Sequence, residues 1–401
     1  HLSITTKKYL NLLFIEAKWF YNYCISQKDI NDSNTTIKTV PVKVKNTFED
    51  RTLCVLSSQM KQGIKTRLFN NLVSLKALKN NKYKIGKLKF KSIINSIPLQ
   101  QLGTSKHSGT YYVNTNKSRI RIQGLKQWLR VKGLKQLPEN CEIANATLIR
   151  KASGYYLHIT TFLSKESSNV PEATIGIDFG CNTQLTLSNG TKIEFQVIPD
   201  KRLRRLDRKI MRKQFTGKLR PNSKKKQQDQ VKRKKSYEKL INKKRDIRNK
   251  VVNAITKSFK YVCFQDENIH AWQSSNHGKK VQHSAIGGII SALKHKAVTP
   301  IIVNKFFPST QLCHKCGNKN KLSLNERVYS CSCGYLNDRD INAALNIEKE
   351  GLKQITTSGK AASKIPMDDR DLKARENLSS TFFEIVNKVH SIKVSKIESK
   401  N

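Results

Sequence analysis

Four of the nine cysteines stand in two tight pairs, Cys313-x-x-Cys316 and Cys331-x-Cys333, separated by fourteen residues. A pair so spaced presents two thiolates from one turn, and two pairs close a tetrahedral shell around Zn2+. Such a shell keeps no open position, so the metal is expected to fold a small ribbon and not to act on a substrate. His314, between two ligands, reads as a bystander. The other five, Cys24, Cys54, Cys141, Cys181 and Cys263, stand singly among apolar or mixed neighbours. They read as reduced core thiols, which argues against a disulfide framework.

Charge narrows the partner. The 401 residues carry 76 Lys and Arg against 29 Asp and Glu, a formal net charge of +47. That imbalance repels itself unless a polyanion is the working partner, and nucleic acid is the obvious one. An anionic membrane would also attract cations, but the basic segments contain no continuous apolar run of about 18 residues and no signal peptide precedes them. A soluble, intracellular protein is therefore expected. The chain opens on His1 and not Met, so it reads as a fragment lacking its first strand or so. Its length allows two or three domains.

Periodicity divides the chain. Residues 1–95 read as helical: Leu10, Leu13, Phe14 and Ala17 repeat at helical spacing, as do Leu56, Met60, Ile64 and Leu68. Residues 96–170 change to short alternating runs. In "ATLIRKASGYYLHITTF", Lys151–Gly154 supply a turn, and Tyr155, Leu157 and Ile159 share a strand face. "SKESSNVPE" then reads as a linker. From 174, "TIGIDFGCNTQLTLSNGTKIEF" reads as a three-strand antiparallel meander. Residues 201–250 hold 23 Lys or Arg and four acids, with thin apolar stripes and interruptions at Gly217 and Pro221. They predict two helices joined by a basic loop, in contact with nucleic acid. Beyond lie a helix through Val251, Val252, Ile255 and Phe259, a strand "YVCFQDE", a helix striped by Ile286, Ile289, Ile290 and Leu293, and a strand "TPIIVNKFF". Alternating strands and helices imply an α/β layer. The polar tail, 349–401, is expected to be largely disordered, with one helix at "LSSTFFEIVNKV".

Acids form a second constellation. Asp178 ends the strand "IGID", with Gly176 on the same face leaving room beside it. Glu267 ends "VCFQDE", and Asp266 is adjacent to it. Asp340 opens the helix "INAALNI" just past the cysteines. Carboxylates at strand ends and helix starts are the hard oxygen ligands that Mg2+ prefers. Two such ions about 4 Å apart can activate water and stabilise the leaving oxygen of a phosphodiester. Each acid also has a plainer reading: Asp178 in a turn, Glu267 against a lysine, Asp338 or Asp340 as a helix cap.

The stretches "IGIDFG", "FQDENIHAW", "FFPSTQLCHKCG" and "CSCGYLNDRDINAALNI", in this order and spacing, closely resemble the TnpB (OrfB) proteins of bacterial insertion sequences. Those are compact RNA-guided DNA endonucleases and relatives of type V CRISPR effectors. The specific motifs cover roughly 170–348, and "LSSQMKQGIKTRLFNN" and "GKLKFKS" are similar to the family's recognition and wedge regions. The resemblance implies a multidomain α+β protein. A RuvC-like α/β nuclease domain of RNase H fold (171–348) would carry a basic helical insertion (201–250) and a four-cysteine zinc ribbon (309–336). A helical recognition-like domain and a small β-barrel-like wedge domain would precede it.

By position, the resemblance makes Asp178, Glu267 and Asp340 the catalytic acids and the ligands of Mg2+ or Mn2+, with Cys313, Cys316, Cys331 and Cys333 holding Zn2+ in a target-binding insertion. It implies a noncoding guide RNA and double-stranded target DNA as partners and a cytoplasmic, nucleoid-associated place in a prokaryote; a monomer is favoured, with the oligomeric state left open. Asp266 remains a competitor for Glu267. Rival readings are a catalytically silent nucleic-acid-binding protein, served by the same basic helices, a guide-independent nuclease, and a transposase accessory or regulator of transposition.

Overall fold

In the computed structural model, which describes residues 2–103, 109–164, 170–215, 223–276, 278–323, 325–357 and 392–396, the two apolar stripes near the N-terminus become two helices. Leu10, Leu13, Phe14 and Ala17 line the buried face of α1 (Ile4–Ser26), which starts where the Ser3 hydroxyl accepts from the Thr6 N–H at 3.1 Å. Met60, Ile64 and Leu68 line α2 (Ser58–Asn80), capped in the same way by Ser57. Between the helices lies an antiparallel hairpin, β1 (Thr39–Val44) and β2 (Thr47–Thr52). The buried Glu16 carboxylate accepts from the backbone N–H groups of Cys54, Val55 and Leu56 at 2.8–2.9 Å. It thereby fixes the chain's entry into α2.

Strands follow: β3 (Ser96–Leu99), β4 (Tyr111–Asn114), β5 (Arg119–Ile122), β6 (Leu129–Arg130), β7 (Glu142–Lys151) and β8 (Gly154–Phe162). They pair as two three-stranded sheets, β3-β7-β8 and β4-β5-β6, where a barrel-like domain was expected. The turn of the long β7–β8 hairpin is closed by Lys151 opposite Gly154. Helices and strands share one core: Leu10, Phe14, Phe20, Met60, Leu68, Ile97, Leu99 and Leu148 belong to a single buried cluster. The regions expected as a helical domain and a β-rich domain are thus one compact unit, 1–166.

The second unit, 167–401, begins inside the expected linker. β9 (Thr174–Phe179), β10 (Leu185–Leu187) and β11 (Thr191–Phe195) form the antiparallel meander. Then come α3 (Lys201–Phe215) and the 35-residue α4 (Lys224–Ser258). Next are β12 (Tyr261–Gln265), the short α5 (Ile269–Ser274) and α6 (Gly278–Ser284), α7 (Ile286–Lys296) and β13 (Thr299–Val303). A small hairpin, β14 (Val328–Ser330) and β15 (Leu336–Asp338), leads into α8 (Arg339–Thr357). Residues beyond 348, expected as a disordered tail, continue α8 to Thr357 and return as β16 (Ile392–Lys396). The helix expected at 378–389 lies outside the described residues.

The main sheet runs β13-β12-β9-β10-β11-β16. β13, β12 and β9 are parallel, whereas β10, β11 and β16 each pair antiparallel with their neighbour. Ile175, Ile177, Val262 and Phe264 point to one face and pack on α4 and α7 through Val251, Ile255, Ile289 and Leu293. Cys263, Ile301 and Val303 point to the other and pack on Ile347 of α8. Helices cover both faces, as a sheet with buried parallel strands requires.

Candidate active site and metal centre

Two features of the α8 face bring the predicted acids together. First, a Cβ at position 176 would stand 2.1 Å from the Ala344 carbonyl oxygen, so only glycine lets α8 lie this close on β9. Second, from Gly176 to Asp178 the strand advances about 6.6 Å, and from Ala344 back to Asp340 the helix covers about 6 Å. The crossing therefore sets Asp340 beside Asp178. β12 runs parallel to β9 with Phe264 level with Ile177, so the chain leaving β12 carries Glu267 to the same end of the sheet.

The electrostatics agree. Burial pushes the Asp178 carboxyl well above the usual carboxylate range, followed by the charges of Asp340 and Glu267; Arg339 opposes them and Asp338 adds to them. Burial, then Asp266, raises Glu267. Asp266 itself is exposed and paired with Lys294 of α7 at 2.8 Å, so of the two adjacent acids Glu267 is the one that Asp178 feels. Asp338, not Asp340, is the helix cap: its carboxylate accepts from the N–H groups of Asp340 at 3.0 Å and Ile341 at 3.2 Å. Asp340 sits in the first turn, free of that duty.

Lys192 completes the group. Asp178 pairs with Thr186 on β10, and Thr186 with Lys192 on β11, so the three lie in one row across the sheet. The largely buried ammonium reaches Asp338 at 2.8 Å and Asp340 at 4.0 Å. Among the described residues the carboxylates are neighbours that do not close into a cluster as tight as the cysteines. The donor set is all oxygen, charged and mutually repelling, which suits a hard divalent cation.

The four cysteine sulfurs lie within 4.8 Å of one another. Cys313 to Cys333 is 3.7 Å and Cys316 to Cys331 is 3.6 Å, close to the roughly 3.8 Å that a tetrahedral ion with Zn–S of about 2.3 Å imposes. Each pair is followed by a glycine in the left-handed region, Gly317 at φ 78° and Gly334 at φ 80°, a conformation that a side chain would disfavour. The Cys333 N–H, together with the neighbouring thiols, lowers the Cys331 thiol, while, against the Asn318 N–H, burial and the neighbouring thiols raise that of Cys316, as expected of thiols crowded against one another. Cys331 and Cys333 occupy the turn between β14 and β15, and β15 ends at Asp338, the cap of α8. The four-cysteine knuckle and Asp340 are thus consecutive pieces of one structure.

Residues 289–347, from α7 through the cysteines to α8, match the Cas12f1-like, TNB domain family. A candidate RNA-guided DNA endonuclease of Streptomyces pristinaespiralis is 26% identical over 310 residues, 67% of this chain and 75% of that protein. A TnpB-like protein of Acanthamoeba polyphaga mimivirus is 28% identical over 220 residues, 50% of this chain and 41% of that protein. In fold the chain is similar to a cryo-EM structure of a Cas12f1–sgRNA–target DNA complex, with TM-score 0.50 and 16% identity, over 86% of this chain and 83% of that one. The chain is similar to TnpB-type proteins in sequence and to Cas12f1 in fold. It spans less than half the length of the mimivirus relatives.

Three further residues hold the site together, and sequence reasoning passed over them. Asn342, one turn past Asp338 on α8, accepts from the His314 N–H at 3.0 Å and donates to the Leu312 carbonyl at 2.8 Å. Asn346, one turn on, donates to the Ser309 and Leu312 carbonyls at 2.9 and 2.7 Å. Gln265 donates to the carbonyls of Asn304, Lys305 and Phe307 and accepts from the Ser309 hydroxyl. All three are buried, so they bind the loop before Cys313 to α8 and β12. Polar residues at i and i+4 on a helix otherwise read as surface; their signal was their place on the same stripe as Ala343 and Ile347.

The basic stretch folds as the α3–α4 pair. Leu203, Leu206 and Ile210 are buried along α3, and two of the four acids cross-link the helices: Asp229 to Lys209 at 3.1 Å, and Asp207 to Arg233. Only the C-terminal third of α4 enters the sheet's core, which leaves the first two thirds to present lysines and arginines to solvent. Among the described residues no helix is long and apolar enough to cross a membrane.

Proposed function

We propose that this chain is a transposon-associated, RNA-guided DNA endonuclease whose RuvC-like site hydrolyses phosphodiester bonds of target DNA. The observation that carries the reading is the crossing at Gly176, which sets Asp340 beside Asp178 with Glu267 among their electrostatic neighbours. A sheet with an antiparallel meander followed by two parallel strands, helices on both faces and acids at one end supports the RNase H-type assignment.

Asp178, Glu267 and Asp340 would hold Mg2+ or Mn2+, which supplies an activated water and charge stabilisation at the leaving oxygen. The chain's own part is to keep these carboxylates half-buried and fixed. Asp338 locks the first turn of α8, Lys192 restrains Asp338 and Asp340, and Lys294 holds Asp266 away. Zn2+ on Cys313, Cys316, Cys331 and Cys333 would fold the knuckle and, through Asn342 and Asn346, steady α8. A guide RNA would read the target by base pairing, leaving the protein to hold backbones. Exposed cations of α3 and α4 suit that task, and the first unit would supply the recognition-like and wedge-like surfaces.

The test is cleavage of matched duplex DNA in Mg2+ by protein purified with its RNA. Asp178→Ala should abolish cutting and keep the RNA; cutting at the wild-type rate by that variant would overturn the assignment.

A further inference from the structure

The first unit contains a site that the catalytic reading does not use. From Arg51 to Pro138, between Asp50 and Glu139, the sequence has 19 Lys and Arg and no acid. Within this run, on the β4-β5-β6 sheet, Tyr112 and Arg121 face each other across strands. The Arg121 guanidinium lies 4.2 Å from the centre of the Tyr112 ring and 5.4 Å from that of Trp128. Tyr112 is pinned: its hydroxyl accepts from the Gly109 N–H at 3.1 Å, and Gly103 is packed so closely on its ring that a Cβ there would stand 2.2 Å away. Trp128 is 38% exposed. Among the described residues Arg121 makes no ion pair, so its charge is answered only by the two rings.

A fixed tyrosine, an arginine plane without a carboxylate, and an open indole make a surface onto which a planar, electron-rich ring can stack. On the same sheet Arg119 pairs with Arg130 and both are exposed, as are Lys117 and Lys126 close by in sequence, and positive charge with no acid in the stretch fits a phosphodiester strand. A duplex hides its base faces, so the occupant is an unpaired base. Of the partners in the proposed function, the RNA carries unpaired loops and ends throughout, whereas the DNA has an unpaired strand only after the guide has displaced it, and RNA recognition works by stacking such bases on aromatic and guanidinium planes.

We propose that Tyr112, Arg121 and Trp128 form a stacking platform for an unpaired base of the RNA; the choice of RNA rests on the function proposed above, whereas the stacking chemistry does not. The experiment uses the full chain in Mg2+-free buffer, so that no cutting competes, with an unstructured single-stranded RNA of about 15 nucleotides, a size in the range such grooves take. Tryptophan fluorescence should be quenched on binding. Trp128→Ala should lose the quench and weaken binding about 5- to 150-fold, as loss of one stacked base does, whereas Trp128→Phe should keep most of the affinity. The slope of log K against log salt should be unchanged in Trp128→Ala, which removes no charge. RNA binding by Trp128→Ala within twofold of wild type would overturn the proposal. So would single-stranded DNA of the same sequence showing an equal or stronger dependence on Trp128, which would assign the platform to DNA. Failure here with Asp178-dependent cutting intact removes the platform alone; loss of cutting dependence with stacking intact removes the nuclease reading alone.

Discussion

Gly176→Ala is the smallest change that tests how α8 and β9 build the acidic site. The added methyl would sit 2.1 Å from the Ala344 carbonyl oxygen and 2.8 Å from the Glu348 Cβ. Real Cβ contacts essentially never fall below 3.0 Å, so α8 has to withdraw by roughly 1 Å. Overpacking of this kind costs about 1–3 kcal/mol, which in a unit of about 200 residues lowers the melting temperature by roughly 2–12 °C. The withdrawal also moves Asp340 away from Asp178, and a displacement of about 1 Å at reacting groups can cost on the order of 100-fold in rate. The assay pairs a thermal melt with single-turnover cleavage of matched DNA, each beside an RNA-binding measurement. Expected are a melt lowered by several degrees, cleavage down about 100-fold and RNA binding within twofold. A variant that melts and cuts like wild type would refute the claim that glycine is required for the crossing.

Asp178→Asn probes the buried charge. Because burial and neighbouring carboxylates raise the Asp178 pKa, its contribution to stability is fully present below the ordinary carboxylate value of about 3.9 and is lost as pH rises through the raised value. Without divalent metal, Asp178→Asn should therefore melt above wild type at pH 8, the difference closing toward pH 4; equal melts throughout would contradict the shift. Asn342→Ala strands the His314 N–H and takes one of two donors from the Leu312 carbonyl, so it should cost about 1–3 kcal/mol and speed zinc loss to a chelator, read by a colorimetric zinc indicator. Cys316→Ser should lower bound zinc, measured by atomic absorption, and destabilise the knuckle, with wild-type zinc content as the contrary result. Asp338→Ala removes the cap of α8 and should cost about 1 kcal/mol, seen as a lower melt with Asp340 still present.

What could be read from the sequence follows period and chemistry. Leu10 to Ala17 and Ile286 to Leu293 specified helices because their stripes fill a core. Cysteine spacing specified a thiolate cage, and Gly176 beside Asp178 signalled a close neighbour. Other features were settled only by tertiary contact. The β1–β2 hairpin buries Val40 and little else, so its pattern is too polar to stand out in a helical region. Asp338 and Asp340 are equivalent on paper, and hydrogen-bond geometry at the start of α8 separates cap from site. Gln265, Asn342 and Asn346 are polar residues whose burial depends on carbonyls supplied by residues 304–312. The shared core of the first unit arises from partners far apart in sequence, Phe14 with Leu148 for instance. β16 is a short, basic strand that gains its place by pairing with the edge of β11.

The central claim, that Asp178, Glu267 and Asp340 act together on DNA selected by RNA, is tested most directly in one measurement. Protein is purified with whatever RNA it retains, that RNA is sequenced, and wild type and Asp340→Ala are compared in Mg2+ on duplex DNA matched to it. The account predicts that wild type cuts the matched duplex and spares a mismatched one, while Asp340→Ala retains the same RNA and leaves the duplex whole. Cutting by Asp340→Ala at the wild-type rate, or binding of matched DNA by wild type without any cut, would contradict it.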